Sequence, residues 1–163
     1  MHFFYLDASA LAKRYASEIG TPLIDRLFAQ VSLDRLYVFN IGVAEVVSLL
    51  VRKKNTGHLA APVLTQALLE FGKEICSATL VRKLTADHGL VTAALPLIEL
   101  HSLNATDAVI LSSALDLVGD LRKTGDDLAL VASDQRLLRA AQTEGLTTLN
   151  PETQTQADLD VLL

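Results

Sequence analysis

The sequence predicts an α/β protein with a parallel sheet of about five strands and helices on both of its faces. Two short apolar runs, residues 2–6 and 128–132, lack polar alternation, as strands do when both faces of a sheet are covered. Segments with helical patterns separate such runs along the chain, which is the order of a parallel α/β fold. Asp7 directly follows the first run, and Asp134 follows the second after Ser133. Ligands of open α/β sheets bind beyond the carboxyl ends of the strands, so we expect both acids to face one crevice.

Capping and breaking residues set the boundaries of each element. Pro22 fits the first turn of a helix, Asn40 is a candidate cap, and Gly145 is a helix stop. Pro96 falls inside a helical pattern, where it is expected to kink or stop the helix. The predicted elements are strand 2–6, helix 8–17, helix 20–31, strand 36–39, helix 41–54, helix 62–76, a weak strand 79–81, helix 86–99, helix 105–118, strand 128–132, helix 134–144 and strand 146–149.

The composition is that of an ordinary globular chain. Half of the 163 residues are hydrophobic, and residues 1–163 are expected to form one domain, with a polar tail from about residue 152 that docks as a short turn or frays. No apolar stretch approaches the roughly 20 residues of a membrane span, and the start lacks the basic region of a signal peptide. We therefore expect a cytoplasmic protein with no membrane partner.

The net charge limits how the chain could bind a nucleic acid. There are 14 basic and 19 acidic residues, which gives −5. Proteins that bind nucleic acid through a broad basic surface are usually cationic. A polyanion is therefore expected to bind only through a local basic patch or through metal ions.

A third acid, Glu45, lies in a strongly apolar segment. The predicted helix 41–54 is apolar almost all round, so we expect it to be largely buried, with Ser48 beside Glu45 in a narrow polar stripe. An unpaired charge in such a place is costly, which favours a functional role. The alternative is a partly exposed helix face.

Helix capping is the alternative for the other acids. Asn104 and Asp107 resemble a capping pair at the start of the apolar helix 105–118. Asp7 and Asp134 could likewise cap the helices that follow them. No single acid is decisive, and it is the combination of four that indicates a site.

Four carboxylates without histidine or cysteine partners favour a hard cation such as Mg²⁺ or Mn²⁺. Such an ion commonly meets phosphate oxygens and can activate a water molecule while stabilising the leaving oxygen. The constellation therefore suits cleavage of phosphodiester bonds.

At these residues the chain resembles the PIN-domain nucleases, especially the VapC-like ribonuclease toxins of toxin–antitoxin pairs. The resemblance covers nearly the whole chain and rests on four segments: Tyr5-Leu6-Asp7-Ala8-Ser9, Val43-Ala44-Glu45-Val46, Leu103-Asn104-Ala105-Thr106-Asp107 and Ala132-Ser133-Asp134-Gln135. It implies a three-layer α/β/α sandwich and a Mg²⁺- or Mn²⁺-dependent endoribonuclease that forms a homodimer, cleaves RNA and is inhibited by a cognate antitoxin.

The resemblance also implies roles for particular residues. The acids carried over as metal-binding and catalytic are Asp7, Glu45, Asp107 and Asp134, with Ser9 and Ser133 as supporting polar residues. One departure is Asn40, where the family pattern would have a small hydroxyl or an apolar residue.

Several basic side chains are candidates for contacts with RNA phosphates. Arg14 and Arg52 follow acids of the site by about two helical turns, so we expect them to lie at its rim. The alternative for each is a solvated helix face. The other candidates are Lys13, Lys53, Lys54, Arg136 and Arg139.

Other functions are left open by the sequence. A PIN-domain nuclease of RNA processing would carry the same acids without being a toxin, and a binding module could keep the fold without cleaving RNA. A phosphoacceptor receiver domain also clusters acids at strand ends, but it needs a lysine after a later strand, and none follows the strand at 128–132.

Overall fold

A five-stranded parallel sheet organises the chain. The computed structural model describes residues 1–163. Along the sheet the strand order is β3-β2-β1-β4-β5, and every neighbouring pair is parallel. The predicted parallel sheet of five strands is therefore confirmed. Its strands are β1 (His2–Leu6), β2 (Leu36–Phe39), β3 (Arg82–Leu84), β4 (Asp127–Val131) and β5 (Thr147–Leu149).

Helices cover both faces of this sheet. One core lies between the sheet and α1 to α4 with α8, and a second core lies between the sheet and α5 to α7. None of the helices combines the length and the apolar character that a bilayer span requires. The helices are α1 (Ala8–Leu11), α2 (Thr21–Gln30), α3 (Asn40–Asn55), α4 (Ala61–Phe71), α5 (His88–His101), α6 (Ala105–Lys123), α7 (Gln135–Thr143) and α8 (Gln156–Asp160).

The central strand β1 explains why its sequence shows no polar alternation. Successive side chains of a strand point to opposite faces of the sheet. Phe4 and Leu6 enter the first core, and Tyr5 enters the second. The buried hydroxyl of Tyr5 pairs with Ser113 Oγ at 2.8 Å, so no polar group is left unsatisfied there. Both faces are dry, which confirms the three-layer α/β/α prediction.

The predicted third strand is three residues too early. The apolar segment 79–81 precedes the strand, and β3 is Arg82–Leu84, with Arg82 opposite Tyr37 of β2. β3 lies at the edge of the sheet and has a neighbour on one side only. Edge strands tolerate charged residues, which a search for apolar runs passes over.

Helix boundaries also differ from the prediction. Pro96 does not stop α5, which continues to His101, because it lies on the exposed face, where water can satisfy the carbonyl that loses its partner. α3 begins at Asn40 itself, without a side-chain capping hydrogen bond, so the predicted cap is wrong. α6 continues to Lys123, through Gly119, at the modest cost that glycine carries inside a helix. α1 ends at Leu11 and passes into a 3₁₀ turn.

The carboxyl-terminal tail docks on the body of the protein. Thr155 and Asp158 form a capping box that starts α8. Arg26 of α2 donates two hydrogen bonds of 2.8 Å to the carboxylate of Asp160. Leu159 is 0% exposed and belongs to the first core. The docked alternative for the tail is therefore the observed one.

Leu159→Ala should lower the free energy of unfolding by about 2–3 kcal/mol, because it empties a buried site at the tail contact. Val161→Ala is the matched control: Val161 is 82% exposed, so its truncation should change stability by less than about 0.5 kcal/mol. Urea unfolding followed by circular dichroism measures both changes. Equal stabilities of the two variants would mean that the tail frays in solution.

Candidate active site

The structure brings the four predicted acids together in one cleft at the carboxyl edge of the sheet. The cleft has a volume of about 530 Å³. The acids reach it from four different elements: the end of β1, the middle of α3, the first turn of α6 and the start of α7. They are Asp7, Glu45, Asp107 and Asp134, joined by Ser9, Ser48, Arg52 and Asn104.

Asp7 joins β1 to α1 and is held on both its backbone and its side chain. Its N–H donates to the carbonyl of Val131 at the end of β4 at 2.9 Å. Its Oδ2 accepts hydrogen bonds from the N–H and the hydroxyl of Ser9, at 3.0 and 2.6 Å. Asp7 is 7% exposed. The capping alternative is thus geometrically correct, and it occupies one carboxylate oxygen and leaves Oδ1 without a partner.

Asp134 is arranged in the same way at the start of α7. Its Oδ1 accepts hydrogen bonds from the N–H groups of Arg136 and Leu137, at 2.7 and 3.1 Å. Oδ2 has no partner within the protein. The preceding residue ties the two strand ends together, since the N–H of Ser133 donates to Ser9 Oγ at 2.9 Å. Ser133 Oγ itself is buried and has no hydrogen-bond partner.

Asp107 forms the capping pair with Asn104 that the sequence suggests. The N–H of Asp107 donates to Asn104 Oδ1 at 2.9 Å, and Asn104 Nδ2 donates back to Asp107 Oδ2 at 2.7 Å. Oδ1 of Asp107 is not engaged. Capping and a site role are therefore compatible at Asp7, Asp107 and Asp134, because each carboxylate uses one oxygen for its own helix and presents the other.

Glu45 reaches the cleft from α3 without any hydrogen bond. The expectation that this helix is largely buried is wrong. Only Gly42, Val46 and Leu50 of α3 are buried, and Glu45 is half-exposed on the neighbouring face. The apolar residues on the outer face of α3 stand in solvent, which the sequence pattern alone did not reveal. The polar stripe with Ser48 is nonetheless real and lines the cleft.

Burial and the neighbouring charges raise the pKa of two of these acids, Asp107 and Glu45. Burial, and then the charges of Asp7, Asp134 and Glu45, raise the pKa of Asp107 to about 6. Burial, and then the charge of Asp7, raise the pKa of Glu45, while Arg52 opposes the shift. The cleft is therefore a site of concentrated negative charge that a cation would stabilise.

The donor set fits a hard divalent cation in its chemistry. All the acidic donors are carboxylates, and no histidine or cysteine lines the cleft. No group of three or more His, Cys, Asp or Glu side chains is close enough as they stand to hold a metal ion. Binding an ion would require these side chains to move toward one another. A cation between the carboxylates offsets the repulsion that otherwise opposes their approach.

The two arginines predicted at the rim have different surroundings. Arg52 lines the cleft, and its guanidinium has no ion pair or hydrogen bond within the protein. Arg14 does not line the cleft, so its predicted position is wrong. Its guanidinium binds Glu74 at 3.0 and 3.2 Å and Asp25 at 2.7 Å, and these partners raise its pKa. This guanidinium therefore links α2, through Asp25, to the segment that follows α4, through Glu74.

An ion-pair network around a buried lysine, next to the cleft, was not predicted. Lys13, a candidate for a phosphate contact, is 2% exposed and pairs with Glu152 at 2.6 Å and Glu18 at 3.4 Å. Lys53 pairs with the same Glu18 at 2.5 Å. Glu152 lies 139 residues along the chain from Lys13, so no local sequence signal could reveal that pairing. These two lysines are occupied in structural ion pairs.

Asn40, the departure from the family pattern, stands apart from the acids. It is exposed at the first position of α3 and does not line the cleft. Asn104 and Ser48, by contrast, line the cleft without having been proposed as site residues. Their spacing from Asp107 and Glu45, three residues in each case, was the available signal.

Asp107→Asn should stabilise the metal-free protein at neutral pH. Because the folded-state pKa of about 6 exceeds the unfolded value of about 3.9, the folded state binds more protons between these values, and ionisation lowers the free energy of unfolding as pH rises. Allowing for partial exposure, the variant should gain about 1 kcal/mol at pH 7, and the gain should vanish toward pH 4. Urea unfolding in EDTA measures both.

Asp34→Asn is the control for this experiment, since Asp34 is exposed and its side chain makes no hydrogen bond. It should match the wild type at both pH values. A pH-independent effect of Asp107→Asn would instead reflect its change in capping.

Comparison with known proteins finds the same fold in several solved structures. No family model matches the chain, and no curated protein sequence matches it. The structure of PAE2754 from Pyrobaculum aerophilum has a TM-score of 0.63 at 18% identity, covering 99% of each chain. VapC20 from Mycobacterium tuberculosis, a sarcin-ricin-loop cleaving toxin, has a TM-score of 0.60 at 19% identity, covering 93% of this chain and 99% of that chain.

A toxin–antitoxin complex from Klebsiella pneumoniae has a TM-score of 0.54 at 12% identity, covering 90% of this chain and 96% of that chain. At such identities a likeness establishes the fold. These neighbours are consistent with the resemblance stated above, and the chain has the PIN-like α/β/α fold that its sequence predicts.

Proposed function

We propose that this chain is a metal-dependent endoribonuclease that acts as the toxin of a toxin–antitoxin pair. The observation that carries the proposal is the meeting of Asp7, Glu45, Asp107 and Asp134 in one cleft, three of them with an oxygen not engaged in hydrogen bonding. The similarity of the fold to a toxin that cleaves the sarcin-ricin loop supports RNA as the substrate.

The four carboxylates would hold Mg²⁺ or Mn²⁺. When bound, such an ion activates water and offsets the charge that develops on the phosphate. Glu45 belongs to this proposed set because it lines the cleft and its carboxylate is half-exposed and makes no hydrogen bond within the protein. Arg52, with no partner of its own, would bind a phosphate oxygen of the substrate at the rim.

Ser9 supports this site through position rather than by contact with substrate. Its hydroxyl donates to Asp7 and accepts from the N–H of Ser133, so it fixes the Asp7 carboxylate relative to the end of β4. Ser133 brings a buried, unpaired hydroxyl to the adjoining pocket. Rigid support of this kind keeps reactive groups in the relative positions that a reaction requires.

The partners follow from the same proposal. We propose a cognate antitoxin, in keeping with the toxin–antitoxin complex among the structural neighbours, and a cytoplasmic location where RNA is accessible. We also propose a homodimer, formed through apolar residues that stand exposed on α3 and α4, such as Val51, Val63 and Leu69. Light scattering that gives the monomer mass would contradict the dimer.

The nearest competing function is a PIN nuclease of RNA processing that is not a toxin. Both functions need the same cleft, so the distinction lies in the partner. A toxin should arrest growth when expressed alone and should be neutralised by a small protein encoded beside it. Growth that is unaffected by expression of an active nuclease would favour RNA processing.

Divalent cations should stabilise the fold. An ion that binds only the folded state at a concentration of about 100 times its dissociation constant adds about 2.7 kcal/mol, which for a chain of this size raises Tm by about 5–10 °C. Asp7→Asn should blunt the effect of Mg²⁺ and Mn²⁺. Differential scanning fluorimetry with and without EDTA measures it, and an unchanged wild-type Tm would count against the metal site.

Asp7→Asn should reduce RNA cleavage by about 10³-fold or more while the fold persists, because a ligand of the ion is lost. Asparagine can still cap α1, which makes this change gentler than Asp7→Ala. Arg52→Ala should weaken RNA binding and flatten its salt dependence with the chemical step largely intact. Single-turnover cleavage of labelled RNA separates the two effects.

Circular dichroism of each variant controls for folding. Folded Asp7→Asn that cleaves RNA at the wild-type rate, in preparations free of contaminating nuclease, would overturn the mechanism.

A further inference from the structure

A second polar pocket lies along α7, the helix that begins directly after Asp134 of the acidic cleft. It has a volume of about 370 Å³ and is formed by α7, the end of β5 and the turn that follows. Its polar lining includes Gln135, Arg139, Gln142, Asn150, Thr153 and Gln154.

The charge of this pocket differs from that of the other large pockets. Arg139 is the one charged residue in its lining. The guanidinium of Arg139 is exposed and forms no ion pair or hydrogen bond within the protein. Every other sizeable pocket of the molecule contains at least two acids. In a chain with net charge −5, this is where an anionic ligand meets the least repulsion.

The amide side chains around Arg139 keep unused hydrogen-bonding groups. Asn150 is 5% exposed, and its Oδ1 accepts from the N–H of Glu152 at 2.9 Å, but its Nδ2 donates to no protein atom. Gln135 is exposed and makes no side-chain hydrogen bond. Gln142 Nε2 donates to Thr148 Oγ1 at 2.8 Å, and its side-chain oxygen accepts no hydrogen bond within the protein. Side-chain amides of this kind pair with the edges of nucleobases.

The position of the pocket connects it to the acids. α7 begins directly after Asp134, and Gln135, Arg139 and Gln142 follow at positions that share one face of the helix. Arg139 lies five residues after Asp134, about 7.5 Å along the helix axis. Five residues also turn the helix by about 140°, so a strand with one phosphate at the acids passes around the start of α7 to Arg139, a path of a few nucleotides.

We infer that this pocket binds a nucleotide of single-stranded RNA that flanks the cleaved phosphodiester bond, with its phosphate on Arg139 and its base edge on the amides. This inference rests on the proposed nuclease function and adds to it a recognition subsite. The lining contains no aromatic side chain, so recognition relies on hydrogen bonds and charge rather than on stacking.

Binding of RNA without cleavage tests the subsite. The Asp7→Asn protein serves as the background, and the probes are fluorescein-labelled oligo(A), oligo(C) and oligo(U) of about 12 nucleotides. Fluorescence anisotropy at several salt concentrations gives the dissociation constant and its salt dependence. Arg139→Gln should weaken binding of all three probes by about 3–10-fold and reduce the salt slope by about 0.7, the value of one phosphate contact with a single strand.

Gln135→Leu should leave the salt slope unchanged and alter the ratio of affinities for the three probes, since it removes a base contact and no charge. Lys73→Gln is the charge-matched control. Lys73 lies beyond α4, lines a different pocket and has no ion pair, so its removal should change neither quantity.

The outcomes separate this inference from the proposed function. If wild-type protein cleaves RNA and Arg139→Gln binds as Lys73→Gln does, the subsite is wrong and the nuclease stands. If Arg139→Gln weakens all probes and Gln135→Leu leaves their ratio unchanged, the base contact is wrong. If the wild type neither binds nor cleaves RNA, both proposals are overturned.

Discussion

The parallel pairing of β1 with β4 is the interaction on which the rest of the site depends. It extends past the strands, since the N–H of Asp7 donates to the carbonyl of Val131 and the N–H of Ser133 donates to Ser9. These bonds set the two strand ends side by side. Each strand is then followed by a helix whose first turn is capped by an acid, Asp7 for α1 and Asp134 for α7. Asp7 is positioned by a backbone hydrogen bond to β4, and Asp134 follows a residue whose N–H is held by the Ser9 hydroxyl, so both acids are set by the sheet rather than by a free loop.

The cleft gathers negative charge at a cost that the scaffold partly offsets. Asp7, Asp107 and Asp134 each lie at the start of a helix, where N–H donors or a capping asparagine stabilise a carboxylate. Glu45 has no such help, and it is the acid without a hydrogen bond. Capping and a catalytic role are often treated as competing explanations of an acid. Here each carboxylate has two oxygens, and the helix needs only one.

Under the proposed function, this acidic chain would bind a polyanion with few basic side chains, because several of them are already held in ion pairs. Lys13 and Lys53 are committed to Glu18 and Glu152, and Arg14 is committed to two other acids. Arg52 at the cleft and Arg139 on α7 are unpaired, and both lie on elements that also carry acids of the site. Under the proposed function, affinity for RNA comes from these few contacts and from bound cations. Such binding is expected to be modest in affinity. It should depend on whether the RNA backbone fits these few contacts rather than on general electrostatic attraction.

Much of this protein is determined by its sequence. The uninterrupted apolar runs of β1 and β4 predict a sheet covered on both faces, because the alternation of side chains along a strand can be read from a few consecutive residues. The acids that follow those runs predict where the crevice lies, because ligands bind beyond the carboxyl ends of parallel strands. The edge strand β3, the half-exposed face of α3 and the pairing of Lys13 with Glu152 are decided by tertiary structure. Each depends on which distant element lies alongside, and a local pattern records what a residue prefers but not which neighbour it meets.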